Sequence, residues 1–289
     1  KTGHNFYAWR GKGIKDWNST YAPLPLNYTL LDGKLQNFQL PPWIKFDMVL
    51  SQNKFGQFQV AKTLSSYLHI PLISLEHTIR AENTAMEHVS RMNEMRGDIN
   101  LFISEYSQKK WGFDEKDSEV VHHGIDTDIF SFFNGYRENH ILSVVNDWRE
   151  ATKGLPVLAI GDTPGLSKPA PDVPSLVREY QRARIFCNTS LVSPIPTSLL
   201  EAMSCGAACV STATCMIPEI IQHGENGLLA NSPAEMKEHL QHLLNNPEDC
   251  ARLGANARKT IEEKFSLESF INRWNCVFDK AANILYGAN

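Results

Sequence analysis

The stretch Ile185–Ile221, IFCNTSLVSPIPTSLLEAMSCGAACVSTATCMIPEII, decides how this chain folds. An apolar run, Ile185-Phe186-Cys187, ends in the polar Asn188-Thr189-Ser190, and a proline-punctuated loop follows, Ser193-Pro194-Ile195-Pro196. Thr197-Ser198 open a helix-like run that stops at Cys205-Gly206, and a second apolar run, Ala208-Cys209-Val210, leads on to Pro218-Glu219. The pattern reads strand, loop, helix, strand. Thr and Ser suit a helix N-cap, and glycine suits the position just past a helix end. A loop feeding a helix N-terminus gathers free backbone N–H groups and the positive end of the helix dipole, which together bind anions. Thr197 and Ser198 fit a cap and a phosphate site equally, since both use the same geometry. Glu201 falls about one turn into the helix, within reach of a sugar hydroxyl beside a bound phosphate.

Working outward, strands and helices alternate on both sides. Asn5–Trp9 and Asn27–Leu31 read as strands, with the Gly-, Pro- and Trp-rich residues 11–45 otherwise loop. Phe46–Ser51, Ile70–Leu75, Ile99–Ile103 and Glu119–His123 read as further strands, and Gln57–Leu68, Ala81–Met95 and Glu105–Trp111 as helices. Residues 131–139 form a link, after which the alternation restarts with strands His140–Val145 and Leu155–Ile160 and a helix over Pro174–Ala183. Gly224-Glu225-Asn226-Gly227 is a turn, Ser232-Pro233-Ala234-Glu235 a helix start, and the remainder is mostly helical to Leu285. Such alternation with short loops predicts parallel sheets covered by helices. The connection between strands 140–145 and 155–160 is short for a parallel crossover, so further residues are expected near Trp148–Ala151. Lys1-Thr2-Gly3-His4 reads as the end of a helix, so an initial strand and helix are expected before Lys1.

The 289 residues are enough for two domains, and 42% hydrophobic with 21% charged residues describes a globular core. A net charge of −4 argues against a broad nucleic-acid surface. No apolar run is long enough to span a bilayer, which leaves peripheral membrane contact open. The six cysteines form no CxxC pair and mostly sit in apolar runs. Buried free thiols are therefore expected, with Cys209 a small core residue and no zinc site, and this points to a reducing, cytoplasmic compartment. His122 and His123 lie on neighbouring strand positions that face opposite ways, so they do not chelate together. His77 ends a strand of a parallel sheet, where ligands gather. Gly161-Asp162-Thr163-Pro164-Gly165 is a glycine turn at a strand end, without the Lys-Ser/Thr of a P-loop, and no GxGxxG is present.

Leu200-Glu201-Ala202-Met203-Ser204-Cys205-Gly206, then Ile217-Pro218-Glu219-Ile220-Ile221 and Gly224-Glu225-Asn226-Gly227-Leu228-Leu229, resemble the retaining GT-B glycosyltransferases of the large family four group. Val120 to Phe130 looks like that family's turn before the domain link, Leu253–Arg258 with Glu263–Ser266 like its last helices, and Lys1–His4 like the end of its first helix. Each motif is weak alone, but they occur in the family's order along most of the chain. The resemblance implies an α/β, GT-B fold: two Rossmann-like domains whose parallel sheets face each other across a cleft. Residues 1–133 would form the acceptor side and 134–269 the nucleotide-sugar side, with a final helix, about 270–289, packing back on the first domain.

The resemblance also implies roles. Glu201 matches the second glutamate of the family's E-x7-E motif, which holds the donor ribose, and Thr197 and Ser198 match the distal-phosphate positions. Ser193, Pro196 and Gly161 line the donor site, Arg149 and Lys153 match the basic pair that neutralises the leaving diphosphate, and His77 lies near the transferred sugar. No metal or cofactor is expected beyond the nucleotide-diphosphate sugar co-substrate, and the acceptor is a glycan, lipid or small molecule. The chain departs from the family where the first glutamate is expected: that position is Ser193, and Gly-Phe-Gly is replaced by Pro194-Ile195-Pro196. Two alternatives follow. One is a nucleotide- or sugar-binding module with weak or no turnover. The other is a nucleotide-sugar 2-epimerase, for which the loop lacks the expected acids and bases.

Overall fold

The computed structural model describes residues 2–9, 19, 22–31, 40, 42–53, 56–80, 85–144, 149–161 and 169–287. They fall into two compact units, Lys1–His122 with Ile271–Asn289, and His123–Phe270.

In the first unit, β1 (Phe6–Trp9) and β2 (Tyr28–Leu31) pair in parallel as a two-stranded sheet. A four-stranded parallel sheet, in the order β3-β4-β5-β6, is built from β3 (Val49–Ser51), β4 (Leu72–Glu76), β5 (Ile99–Phe102) and β6 (Glu119–Val120). Its connections carry α1 (Gln57–Leu68), α2 (Met86–Asn93) and α3 (Glu105–Lys110). Every residue of β4 is buried, as expected for an interior strand covered on both faces. Phe58 and Ala61 of α1 pack with Leu72, Val49 and Met95. Ser104 caps α3 by accepting the Ser107 N–H, which explains why that helix starts where it does.

The second unit holds β7 (Glu138–Ser143), α4 (Arg149–Thr152), β8 (Val157–Ala159), α5 (Val173–Arg182) and β9 (Ala183–Asn188). Then come α6 (Thr197–Cys205), β10 (Ala208–Thr212), α7 (Ile217–Ile220), β11 (Leu228–Ala230), α8 (Pro233–Asn245) and α9 (Pro247–Lys264). The five strands form one parallel sheet in the order β11-β10-β9-β7-β8. One side of the sheet is sealed by Met236, Leu240 and Leu243 of α8 and Leu253 of α9, packed on Ile141, Ile185, Cys187, Ala208 and Val210. The last helix, α10 (Leu267–Tyr286), starts in the second unit, and from Ile271 it belongs to the first.

Several elements differ from the expectation. The strand expected from Phe46 starts at Val49, and the helix expected over Ala81–Met95 is Met86–Asn93, residues 81–84 lying outside the described residues. His122 and His123 follow β6 instead of lying on it. The unit boundary falls after His122, not at 133/134. The reason is a set of bonds that tie residues 124–133 to the second unit. Ile125 N–H donates to Phe265 O (2.8 Å), Leu267 N–H donates to Ile125 O (3.0 Å), and Phe133 N–H donates to Cys205 O (3.2 Å). The crossover suspected of lacking residues joins β7 to β8 in parallel through the single turn α4, and residues 145–148 lie outside the described residues.

Candidate functional site

The strand order of the second unit reverses between β7 and β9. From β7 the chain moves one way to β8, then crosses back and continues through β9, β10 and β11. Loops leaving the carboxyl ends of the two strands at such a reversal diverge and open a crevice, the usual ligand position in an open parallel sheet. Ser143 and Asn188 end the two strands, both buried. Asn188 donates through Nδ2 to Ser211 Oγ (2.8 Å). Gly161 lies just past β8 at φ 148°, an angle that side chains rarely tolerate. The rest of the glycine turn, 162–165, is outside the described residues.

The loop after β9 is fastened to the neighbouring strand. Both Thr212 Oγ1 (2.5 Å) and Thr214 Oγ1 (3.1 Å) donate to Ser190 O, and Ile195 and Pro196 are buried. Ser193 is half-buried. The N-cap of α6 is Pro196, so Thr197 and Ser198 occupy the first two helical positions and do not cap with their hydroxyls, contrary to the sequence reading. Among the described residues no side chain caps this end. The N–H groups of Leu199 and Leu200 both donate to Pro196 O, while among the described residues nothing accepts the N–H of Thr197 or Ser198. Two donors and the positive end of a helix are therefore left open beside the crevice.

Glu201 stands one turn further in. Its carboxyl Oε2 accepts a hydrogen bond from the Tyr180 hydroxyl at 2.9 Å. Burial raises the Glu201 pKa to about 7, and the Tyr180 bond opposes part of that rise. Tyr180, on α5, is 1% exposed and lies edge-on to Phe186 and Phe130, with ring centroids 5.7 and 6.3 Å away. Its phenol is pushed well above the ordinary range, first by burial and then by the neighbouring carboxylate.

The carboxyl end of α6 is locked by groups that the sequence reading missed. Arg137 donates through Nη1 to the carbonyls of Tyr180, Gln181 and Ala183, each at 3.0 Å, and through Nη2 to Phe133 O (3.0 Å) and Cys205 O. It thus caps the ends of α5 and α6 with one guanidinium, where the helix dipoles favour a cation. Arg258 of α9 donates to Ser204 O (3.0 Å), Ser204 Oγ (3.1 Å) and Phe130 O (3.1 Å). Gly206 closes α6 in the left-handed conformation at φ 81°. A Cβ on Gly254 would stand 2.1 Å from Gly206 O, so α9 crosses this helix end at backbone distance. Arg258 and Gly254 belong to the Leu253–Arg258 run singled out in the sequence, but nothing local marks Arg137.

The other predicted residues lie on α4, in the turn after it and just past β4. The backbone of Arg149 opens α4, and its side chain is outside the described residues. Lys153 is exposed in the turn after α4. Val157, four residues on, pairs with Ile141 near the carboxyl end of β7. His77, in the first unit, directly follows β4, and its neighbours are fixed. Glu76 Oε1 accepts from Thr78 N–H (2.7 Å) and Oγ1 (2.5 Å), while Trp111 Nε1 (3.0 Å) and Ser107 Oγ donate to Thr78 O. His122 Nε2 lies 2.8 Å from Glu105 Oε2. Glu219 is exposed in the first turn of α7, whose N-cap is Met216. Cys187, Cys205, Cys209 and Cys250 are buried free thiols. Burial pushes Cys187 and Cys205 up to about 12 and Cys209 further still, which makes them neutral core residues. Among the described residues no group of His, Cys, Asp and Glu is placed to hold a metal ion, and no helix is long and apolar enough to cross a membrane.

Residues 170–260 match the family model "Glycosyl transferases group 1". The chain is 33% identical over 82 residues to N-acetyl-alpha-D-glucosaminyl L-malate synthase of Bacillus anthracis, a match covering 28% of this chain and 22% of that protein. It is 32% identical over 104 residues to MMP alpha-(1->4)-mannosyltransferase of Mycolicibacterium hassiacum, covering 34% of this chain and 25% of that protein. The chain therefore spans about a quarter of the length of the curated relatives it matches. Among solved structures, Anabaena HepE in complex with UDP-glucose superposes with a TM-score of 0.69 at 16% identity, over 81% of this chain and 79% of that one.

Proposed function

We propose that this chain, whose fold is that of the GT-B glycosyltransferases, moves a sugar from a nucleotide-diphosphate donor to an acceptor hydroxyl. The observation that carries the reading is the uncapped start of α6 at the sheet reversal, with a carboxylate one turn in. The donor diphosphate would accept hydrogen bonds from the Thr197 and Ser198 N–H groups and hydroxyls, and Glu201 would accept from the ribose. The reaction breaks the bond between the anomeric carbon and the phosphate oxygen and forms one to the acceptor oxygen. With retention, the acceptor attacks the face the phosphate leaves, and the departing phosphate takes the acceptor's proton. The helix end and Arg149 would stabilise the charge on that phosphate without a metal. His77 would orient the transferred sugar, a role taken from the family resemblance. Lys153 would join Arg149 in stabilising the phosphate charge, an assignment likewise taken from the family resemblance.

The test is calorimetric titration with UDP, GDP and ADP. Glu201→Ala should weaken the tightest of the three by at least about tenfold, equivalent to ~1.4 kcal/mol. Unchanged affinity would remove the ribose assignment. A second reading, binding without turnover, is favoured by Ser193 in place of an acid that would grip the donor sugar. A panel of nucleotide sugars separates the two, since a binder shows a thermal shift but releases no nucleoside diphosphate.

A further inference from the structure

We infer that Tyr180 is the positioning residue for Glu201, holding one carboxyl oxygen so that the other is presented to a ligand hydroxyl. The inference rests on the reading of Glu201 as the ribose ligand. The Tyr180 hydroxyl donates to Oε2 at 2.9 Å, and among the described residues nothing engages Oε1. The phenol itself cannot swing away. Its ring is enclosed between Phe130 and Phe186, and its own backbone carbonyl is gripped by Arg137, which also binds the Cys205 carbonyl at the far end of α6. Helices α5 and α6 are therefore cross-linked twice, through the Tyr180 hydroxyl and through Arg137. A Glu side chain has three rotatable bonds, and fixing it before the ligand arrives removes an ordering cost from binding.

The bond also sets the charge of the carboxyl. A donor to the ionised form favours that form, so Tyr180 opposes the burial that would otherwise neutralise Glu201 near pH 7. The other titratable or charged groups around the pair are Cys205 on α6, Cys209 on β10, Arg137 before β7 and Arg258 on α9. Burial keeps the two thiols neutral, so neither titrates with Glu201. An ionised carboxylate accepts ribose hydroxyls more strongly than a neutral acid does.

The experiment is calorimetric binding of whichever of UDP, GDP and ADP binds tightest, from about pH 5.5 to about pH 8.5, to the wild type, Tyr180→Phe and Glu201→Gln. Affinities are read as the ratio to Glu201→Gln at each pH, which cancels the ionisation of the nucleotide. The wild-type ratio should rise with pH, with a midpoint near 7. In Tyr180→Phe the midpoint should move up by about one pH unit, so the ratio falls roughly three- to tenfold at pH 7 and recovers at the alkaline end. Tyr180→Met, which also removes the hydroxyl, carries the same expectation should the Phe variant fold poorly. A Tyr180→Phe midpoint equal to the wild type's would overturn the inference and leave Glu201 as the ribose ligand. A wild type that binds no more tightly than Glu201→Gln at any pH would sink the ribose reading itself.

Discussion

At the residue scale, Glu201 has a stability signature independent of any ligand. Its folded pKa, about 7, lies above its ordinary value of 4.5. The neutral form is the one the fold favours, so its contribution is complete below about pH 4.5 and is lost as pH rises through 7. Glu201→Gln mimics the neutral acid at every pH. The variant should come within about 1 kcal/mol of the wild type at pH 5 and exceed it by about 3 kcal/mol at pH 8, read from urea unfolding at the two pH values. A constant difference across that range would show that the carboxyl is well solvated. Arg137 behaves in the opposite sense. Its guanidinium satisfies five carbonyls, so Arg137→Ala should cost about 3 kcal/mol or more by leaving buried acceptors without donors, with Arg137→Lys intermediate. Chemical denaturation checks both.

At the element scale, α6 shows a division of labour between its ends. Its amino end has Pro196 as cap and, among the described residues, two N–H groups without an acceptor, while its carboxyl end is held by Gly206, Arg137, Arg258 and the crossing of α9. Holding the far end fixes the direction in which the free end points, and that is what a ligand requires of a helix terminus. The Gly254 crossing is the most sensitive of these contacts. Gly254→Ala places a methyl 2.1 Å from a backbone oxygen that cannot rotate away. The expected cost is about 2 kcal/mol in thermal or urea unfolding, together with weaker nucleotide binding as α6 shifts. Neutral behaviour at this site would mean that α9 moves aside freely. The Gly224–Gly227 turn has a comparable structural explanation: the Asn226 amide donates to Ile220 O and Thr260 Oγ1 and accepts from Gln222 N–H, pinning α7 to α9.

At the scale of the whole molecule, α10 begins in one unit and finishes in the other. In the first unit, Phe278 packs edge-on against His4 and Phe6, Lys280 bonds Glu119 (2.7 Å), and the Tyr286 hydroxyl donates to Asp47 (2.6 Å). The terminal helix therefore closes the core of the unit that the chain built first. Phe278→Ala should cost about 3–4 kcal/mol in that unit alone. The measurable consequence is a lowered first-unit transition in denaturant, with the nucleotide affinity of the second unit unchanged. Loss of nucleotide binding at the same denaturant concentration as that transition would show that the two units do not unfold separately.

The alternation of strands and helices, the all-parallel sheets and the end of α6 at Gly206 were legible in the chain, because they depend on periodicities and backbone preferences that act over a few residues. So was the place of Glu201 one turn into a helix after a strand, since that is a matter of counting. The unit boundary was not legible, because it follows from Ile125 pairing with Phe265 and Leu267, far away in sequence. The cap of α6 was misread, because Thr197 and Ser198 suit a cap position that the loop geometry assigns to Pro196. The Tyr180–Glu201 bond and the Arg137 lock join segments that only packing brings together. Local pattern thus determined the elements and the residue types at the crevice, while tertiary structure decided the charge, the orientation and the neighbours of those residues. Desolvation and long-range hydrogen bonds are properties of the assembled unit and leave no trace in sequence spacing.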